Sequence, residues 1–279
     1  MQPDEANPLG NPAYPGATSA NGPNFVDFMT ATYNQSFIET YNFAWGGATI
    51  DEAVVASVFG PSVQSFKDQV NRLFQPKYIN NPTVPWTGSN SMFVVFFGIN
   101  DAIGTWLGPA NDSLQYGEIK SYENLLNQMY SEGARNFLLM NVPPVDRAPI
   151  YSSLKDPMRA DVGGWIGRFN FRLSSLAYNL SQRYPEATPF YFDTNFLFTL
   201  VLDDSTRFPE TAGYRNTTTY CEAYLEWVMT RSIYAPGTMS YYDPVCGVPI
   251  DQYFWLNTLH PTYPMHNFLA SQITQLLLS

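Results

Sequence analysis

The chain has 279 residues, 45% of them hydrophobic and only 14% charged, and carries a net charge of −10 from 24 acidic against 14 basic side chains. That length and apolar content fit one large α/β domain, 1–279, with little disorder, and an acidic balance without a basic cluster disfavours nucleic acid and anionic membrane surfaces as partners. No apolar run approaches the ~20 residues of a bilayer span, and Met1-Gln-Pro-Asp-Glu-Ala-Asn has neither the positive start nor the apolar stretch of a signal peptide.

Residues 1–23 are rich in Pro, Gly, Asn and Ala and read as an extended surface loop. Asn24 is placed to cap a helix whose buried face is Phe25, Phe28, Met29 and Tyr33. The run Tyr41-Asn-Phe-Ala-Trp45 reads as a short strand ending in the tight turn Gly46-Gly47, and 62–74 carries Val63, Phe66, Val70 and Leu73 at helical spacing. Met92-Phe-Val-Val-Phe-Phe97 is unbroken apolar sequence, the pattern of a central parallel strand covered on both faces, and it runs straight into Gly98-Ile-Asn100-Asp101. A helix over 122–130 with Gly133 as its C-cap follows, then a strand over 137–142 ending in Pro143-Pro144. A long amphipathic helix over 165–184 and a last strand over 189–193 complete the alternation. Strands alternating with helices predict a parallel sheet with helices on both faces. Near the end, Met265, Phe268, Leu269, Ile273, Leu276 and Leu277 mark an amphipathic helix, with Pro264 suited to its first position.

His260, one of two histidines, sits in a loop just ahead of that helix. Histidine is the side chain whose ordinary pKa lets it take and return a proton near neutrality, so a chain this poor in it has few candidate bases. In a parallel sheet, ligands bind beyond the carboxyl ends of the strands. Gly46-Gly47, Gly98-Ile-Asn100-Asp101 and the His260 loop all fall there, and a glycine N–H, an Asn amide and an imidazole together are equipment for acyl transfer. Asp101 is expected to bond local backbone. Two histidines six positions apart and two cysteines make no usual metal set, and no Gly-x-Gly-x-x-Gly follows a strand, so neither a metal nor a nicotinamide cofactor is expected. Cys221 and Cys246 either pair in a disulfide that adds roughly 3 kcal/mol in an oxidising compartment or are two buried thiols. Four Asn-x-Ser/Thr sequons, at Asn34, Asn111, Asn179 and Asn216, are close to the roughly three that chance gives.

The order Asn42-Phe-Ala-Trp-Gly46-Gly-Ala-Thr, then Gly98-x-Asn100-Asp101, then Leu-His260-Pro-Thr resembles blocks II, III and V of the SGNH (GDSL) hydrolases. The flanking text, Asn7-Pro-Leu-Gly-Asn-Pro, Asn141-Val-Pro-Pro-Val-Asp-Arg147 and Tyr253-Phe-Trp-Leu-Asn-Thr-Leu-His-Pro-Thr-Tyr-Pro, is similar to the fungal carbohydrate esterase family 16 acetylesterases. The resemblance covers essentially the whole chain and implies a three-layer α/β/α, flavodoxin-like fold and a secreted, monomeric, cofactor-free esterase. By it, His260 is the general base, the Gly46 N–H and the Asn100 side chain are oxyanion donors, and the substrate is an acetylated oligosaccharide or other small ester; the aromatic rings of Trp45 and Trp106, beside that site in sequence, suit stacking on a sugar.

The sequence departs from that family twice. The family's acid stands three residues before the histidine, where this chain has Asn257; an amide can orient the imidazole but not stabilise imidazolium by charge, so Asn257 or a backbone carbonyl is expected to orient it, with Asp251 and Asp243 as remoter choices. The family's nucleophile lies in a Gly-Asp-Ser block after the first strand, and no such block occurs, nor does a Gly-x-Ser-x-Gly elbow replace it. Two expectations follow. Either the reading frame starts at an internal Met, so that the secretion signal, the first strand and the serine precede it, or the chain is a noncatalytic carbohydrate-binding relative of the same fold. The first is preferred, because losing an internal strand would leave a gap or force the Phe43 strand against the Phe93 strand, exposing paired backbone at a cost beyond a domain's marginal stability.

Overall fold

A computed structural model describes residues 3, 4, 6–10, 18–105, 111–230 and 238–279. In chain order its elements are helix α1 (Phe25–Ala31), the short helices α2 (Phe66–Asp68) and α3 (Gln75–Tyr78) joined by a π-helical turn (Gln69–Phe74), strand β1 (Met92–Phe96), α4 (Ile99–Thr105), α5 (Asn111–Ser131), β2 (Asn136–Met140), α6 (Asp156–Arg183), β3 (Thr188–Phe192), α7 (Thr194–Asp203), α8 (Glu222–Thr230) and α9 (Tyr263–Leu278). The described residues group into two compact units, one comprising Phe43–Asp146 and Lys155–Asn195, the other Met1–Asn42, Arg147–Leu154 and Phe196–Ser279.

The first unit holds the sheet, three parallel strands in the order β1-β2-β3, in register from Met92↔Asn136 and Asn136↔Thr188 onward. The middle strand is therefore β2, and Phe137, Leu138, Leu139 and Met140 are completely buried. This corrects the expectation for β1. Its apolar run forms a strand, but at an edge of the described sheet, with Met92 36% and Val94 42% exposed. An unbroken apolar sequence says that both faces want cover and cannot say which neighbour supplies it. Residues 41–45 are not a strand either, so no Phe43 strand pairs with β1. The Phe43 ring packs edge-on against Phe74 and Tyr78 instead, with centroids 6.3 and 5.2 Å away.

Helix α5 extends well before the expected span and ends as the sequence indicates. Gly133 takes φ +111°, and the N–H groups of Gly133 and Ala134 bond back to the Tyr130 and Met129 carbonyls, closing the last turn. Helix α6 buries Trp165, Phe169, Leu173, Leu176 and Leu180, one face at helical spacing, and packs on α5 and β3. Ser65 caps 66–78 through a reciprocal box with Asp68.

In the second unit α1 packs against α9. Asn24 caps α1 as expected, its Oδ1 accepting the Val26 and Asp27 N–H groups while Asp27 accepts the Asn24 N–H. The fully buried positions are Asp27 and Thr30, not the aromatic set, because Asp27 turns inward to complete the cap and Thr30 bonds the Val26 carbonyl and Thr40. The expected surface loop is not all at the surface. Ala20 and Asn21 are buried, and the Asn21 amide donates to the Thr238 and Met239 carbonyls. Cys221 and Cys246 form a disulfide beside Tyr224, Ile250, Tyr253 and Leu256. Helix α9 starts at Tyr263, with Thr262 as N-cap and Pro264 in its first turn, and buries Met265, Phe268, Leu269 and Ile273. Among the described residues no helix is long and apolar enough to cross a membrane.

Candidate active site

The residues read as chemical from the sequence fall in both units. His260 and Asn257 belong to the second, and Trp45, Gly46 and Asn100 to the first. Trp106 lies outside the described residues.

The His260 loop is built on paired backbone. Phe254 N–H bonds the Asn216 carbonyl, Thr262 N–H bonds the Phe254 carbonyl and Leu256 N–H bonds the His260 carbonyl, each at 2.8 Å. Thr262 Oγ1 donates to the Tyr253 carbonyl and Trp255 Nε1 to the Thr217 carbonyl. Buried Phe254, Trp255 and Leu256 then root the loop in the core and leave His260 at the surface.

Asn257 Oδ1 accepts the N–H groups of Leu259 and His260, each at 2.9 Å, and lies 3.0 Å from His260 Nδ1. Two backbone donors fix which end of the amide is oxygen, so the third partner must also be a donor. Nδ1 therefore carries the hydrogen and Nε2 keeps the lone pair, the tautomer that a base working through Nε2 requires. The carboxylates considered as alternatives are engaged elsewhere: Asp251 Oδ2 accepts from Ser240 and Tyr263, and Asp243 Oδ1 from the Val245 N–H. The packing around the loop strips part of the ring's hydration and holds the His260 pKa below the usual histidine value, although the ring is open to solvent. His266, one turn into α9 and stacked on Phe25, is pushed down to about 4 by burial and then by the charge of His260, which makes it a poor base at neutral pH.

In the first unit, Gly98 is where β1 hands over to α4, and only glycine fits. Its φ is +114°, and a Cβ would lie 2.6 Å from Val142 Cγ2 and 2.7 Å from Phe169. That turn presents Asn100 and Asp101 to the loop after Trp45. Asn100 Nδ2 donates to the Ala48 carbonyl at 3.0 Å, and the Ile50 N–H donates to Asp101 Oδ1 at 2.9 Å. Asp101 thus bonds backbone, as expected, but that of a loop 51 positions away. The same loop turns at Gly47, φ +82°, with Ala48 N–H bonding the Trp45 carbonyl. Gly46 is exposed, and among the described residues no acceptor meets its N–H. Trp45 beside it is 50% exposed. A free glycine N–H, and an Asn amide with one hydrogen left over that is tied to the same loop at Ala48, are donors of the kind that bind developing negative charge on oxygen.

Residues 9–273 match the model of the GDSL-like lipase/acylhydrolase family. The chain belongs to that family. Among curated proteins, one named acetylesterase from Thermothelomyces thermophilus is 34% identical over 220 residues, 77% of this chain and 72% of its own length. The thermolabile hemolysin of Vibrio parahaemolyticus is 25% identical over 262 residues, and a GDSL esterase/lipase of Arabidopsis thaliana is 26% identical over 207; these alignments take in 92% and 62% of this chain but only 55% of each of those proteins. The three-stranded parallel sheet with its helices is consistent with the three-layer α/β architecture of GDSL hydrolases. What sequence reasoning missed is Glu118, buried beside Asp101, because a lone Glu inside a helical pattern gives no signal of burial.

Proposed function

We propose that this GDSL chain carries the base and the oxyanion donors of a serine-dependent esterase that removes acetyl groups from short oligosaccharides or another small ester. The observation that carries the reading is the Asn257–His260 pair, which leaves Nε2 as the free base. A serine hydroxyl gives its proton to that nitrogen as it attacks the acetyl carbonyl. The Gly46 N–H and the Asn100 amide hold the oxyanion, and the imidazolium returns the proton to the departing sugar oxygen. Water then repeats the sequence on the acyl-enzyme and releases acetate. Asn257 orients the imidazole without charging it, so transition-state stabilisation of the imidazolium is weaker than with a carboxylate. The acetyl preference rests on the acetylesterase relative, and Trp45 and Trp106 are assigned to the sugar face. The disulfide suits a secreted protein.

The 279 residues contain no Gly-Asp-Ser, so by themselves they are assigned no turnover. Its absence favours one other reading, a noncatalytic binder of acetylated sugar. The experiment joins a strand ending in Gly-Asp-Ser to the N-terminus and follows acetate release from acetylated xylo-oligosaccharides and p-nitrophenyl acetate. Activity that vanishes in His260→Ala supports the esterase. A folded, joined chain that binds the sugar and releases no acetate supports the binder and refutes the esterase.

A further inference from the structure

Two carboxyl groups of the sheet-bearing unit are completely buried, Asp101 at the start of α4 and Glu118 in α5, each 0% exposed. Asp101 Oδ1 accepts the Ile50 N–H, but Asp101 Oδ2 and both Glu118 carboxyl oxygens have no well-formed hydrogen bond among the described residues, and the Asp51 backbone N–H is the least of the influences on Glu118. Helix α4 packs against α5, and the two carboxyls bear on each other side chain to side chain. Two ionised carboxylates offer only acceptors, so the one hydrogen that can join them is a proton carried by one of the pair.

The surroundings select the carrier. The other charged group that bears on Glu118 is Asp51, also negative, and Asp51 spends its own carboxylate on Lys67 and Ser121. Tyr122, one turn along α5, is driven far up by burial and by Asp101, so it stays a neutral phenol. Among the described residues no cation bears on the pair. Burial, then the charge of Asp101, then the bond to it push Glu118 up to about 11, while burial raises Asp101 as well.

We propose that Glu118, protonated and donating to Asp101, is a positioning residue for the loop that bears the candidate oxyanion donor Gly46. With Glu118 neutral, Asp101 is free to act as a strong acceptor for the Ile50 N–H while its neighbour Asn100 holds the Ala48 carbonyl, so α4 grips the loop at two points on opposite backbone polarities. With Glu118 ionised, two like charges would share a site closed to water, and the cheapest relief would be to open the loop. The catalytic meaning of this grip rests on the esterase reading above; the grip itself does not.

The test uses the chain as it stands, labelled with ¹³C and ¹⁵N. Side-chain carboxyl shifts followed through the pH range should show one of the two carboxyls protonated at and above neutrality. Glu118→Gln supplies an N–H donor in place of the proton, so it should keep the hydrogen-exchange protection of the Ile50 amide within about twofold and abolish the protonated carboxyl signal. Glu118→Leu leaves Asp101 without a donor and should lower that protection at least tenfold. Two ionised carboxyls at pH 7, or loss of Ile50 protection in Glu118→Gln, would overturn the proposal; so would full protection in Glu118→Leu. Should Glu118→Leu not fold, the carboxyl titration and the Gln variant still decide. In the chain joined to a Gly-Asp-Ser strand, Glu118→Gln should keep kcat and KM. Loop results as expected with no acetate release would refute the esterase and leave the positioning pair standing.

Discussion

Asn257→Asp changes one group and places a negative charge 3.0 Å from His260 Nδ1. The aspartate keeps the oxygen that accepts the Leu259 and His260 N–H groups, so the loop should hold its shape. At that distance the attraction between carboxylate and imidazolium is about 1.4 kcal/mol even at the dielectric of water, and one pKa unit corresponds to about that energy. Because the ring is solvent-exposed, the water limit is the appropriate one. The His260 pKa, now below the usual value, should therefore rise by about one unit. The linked stability changes with it. In the native chain a depressed His260 resists protonation, which costs stability as pH falls, and in the variant the added attraction offsets that cost. The assay is an NMR titration of the His260 Cε1 proton, with His266 as a reference in the same spectra. An unchanged His260 pKa in a folded variant would show that the side chain at 257 does not bond Nδ1, and the tautomer argument would fail with it.

Gly98→Ala meets both a positive φ and two side chains at less than 3 Å, and should lose about 3 kcal/mol in urea unfolding. Gly46→Ala meets open space and should fall within about 0.5 kcal/mol of the native chain, which separates a packing glycine from one whose N–H is wanted. Replacing Cys221 and Cys246 together by Ser should cost about 3 kcal/mol, read from the same unfolding curves. His266 is pushed down to about 4, so the unfolded chain takes up a proton from about pH 6.5 downward that the folded chain refuses; His266→Phe should remove an acid destabilisation of at most about 3 kcal/mol, measured as the gap between unfolding midpoints at pH 7 and pH 4.5. No change in that gap would mean that the ring is hydrated.

How much was legible beforehand depends on whether a local rule decided the outcome. Caps, breaks and apolar spacing are local, so Asn24 starting α1, Gly133 closing α5 and the buried face of α9 were all readable from sequence, and the motif order pointed to the family. Burial is set by neighbours far along the chain. β1 looks like a central strand and lies at the edge of the described sheet, 41–45 has strand composition without a strand, and Asp27 is buried in α1 because it completes a cap. The side chain at 257 shows the division most clearly. Its identity as an amide was plain in the sequence, but its three bonds, and hence the nitrogen of His260 left free, follow from the turn in which Asn257 folds back over Leu259 and His260. Glu118 is the opposite case, a residue with no mark in the sequence that packing beside Asp101 deprives of water and, among the described residues, of any well-formed hydrogen bond.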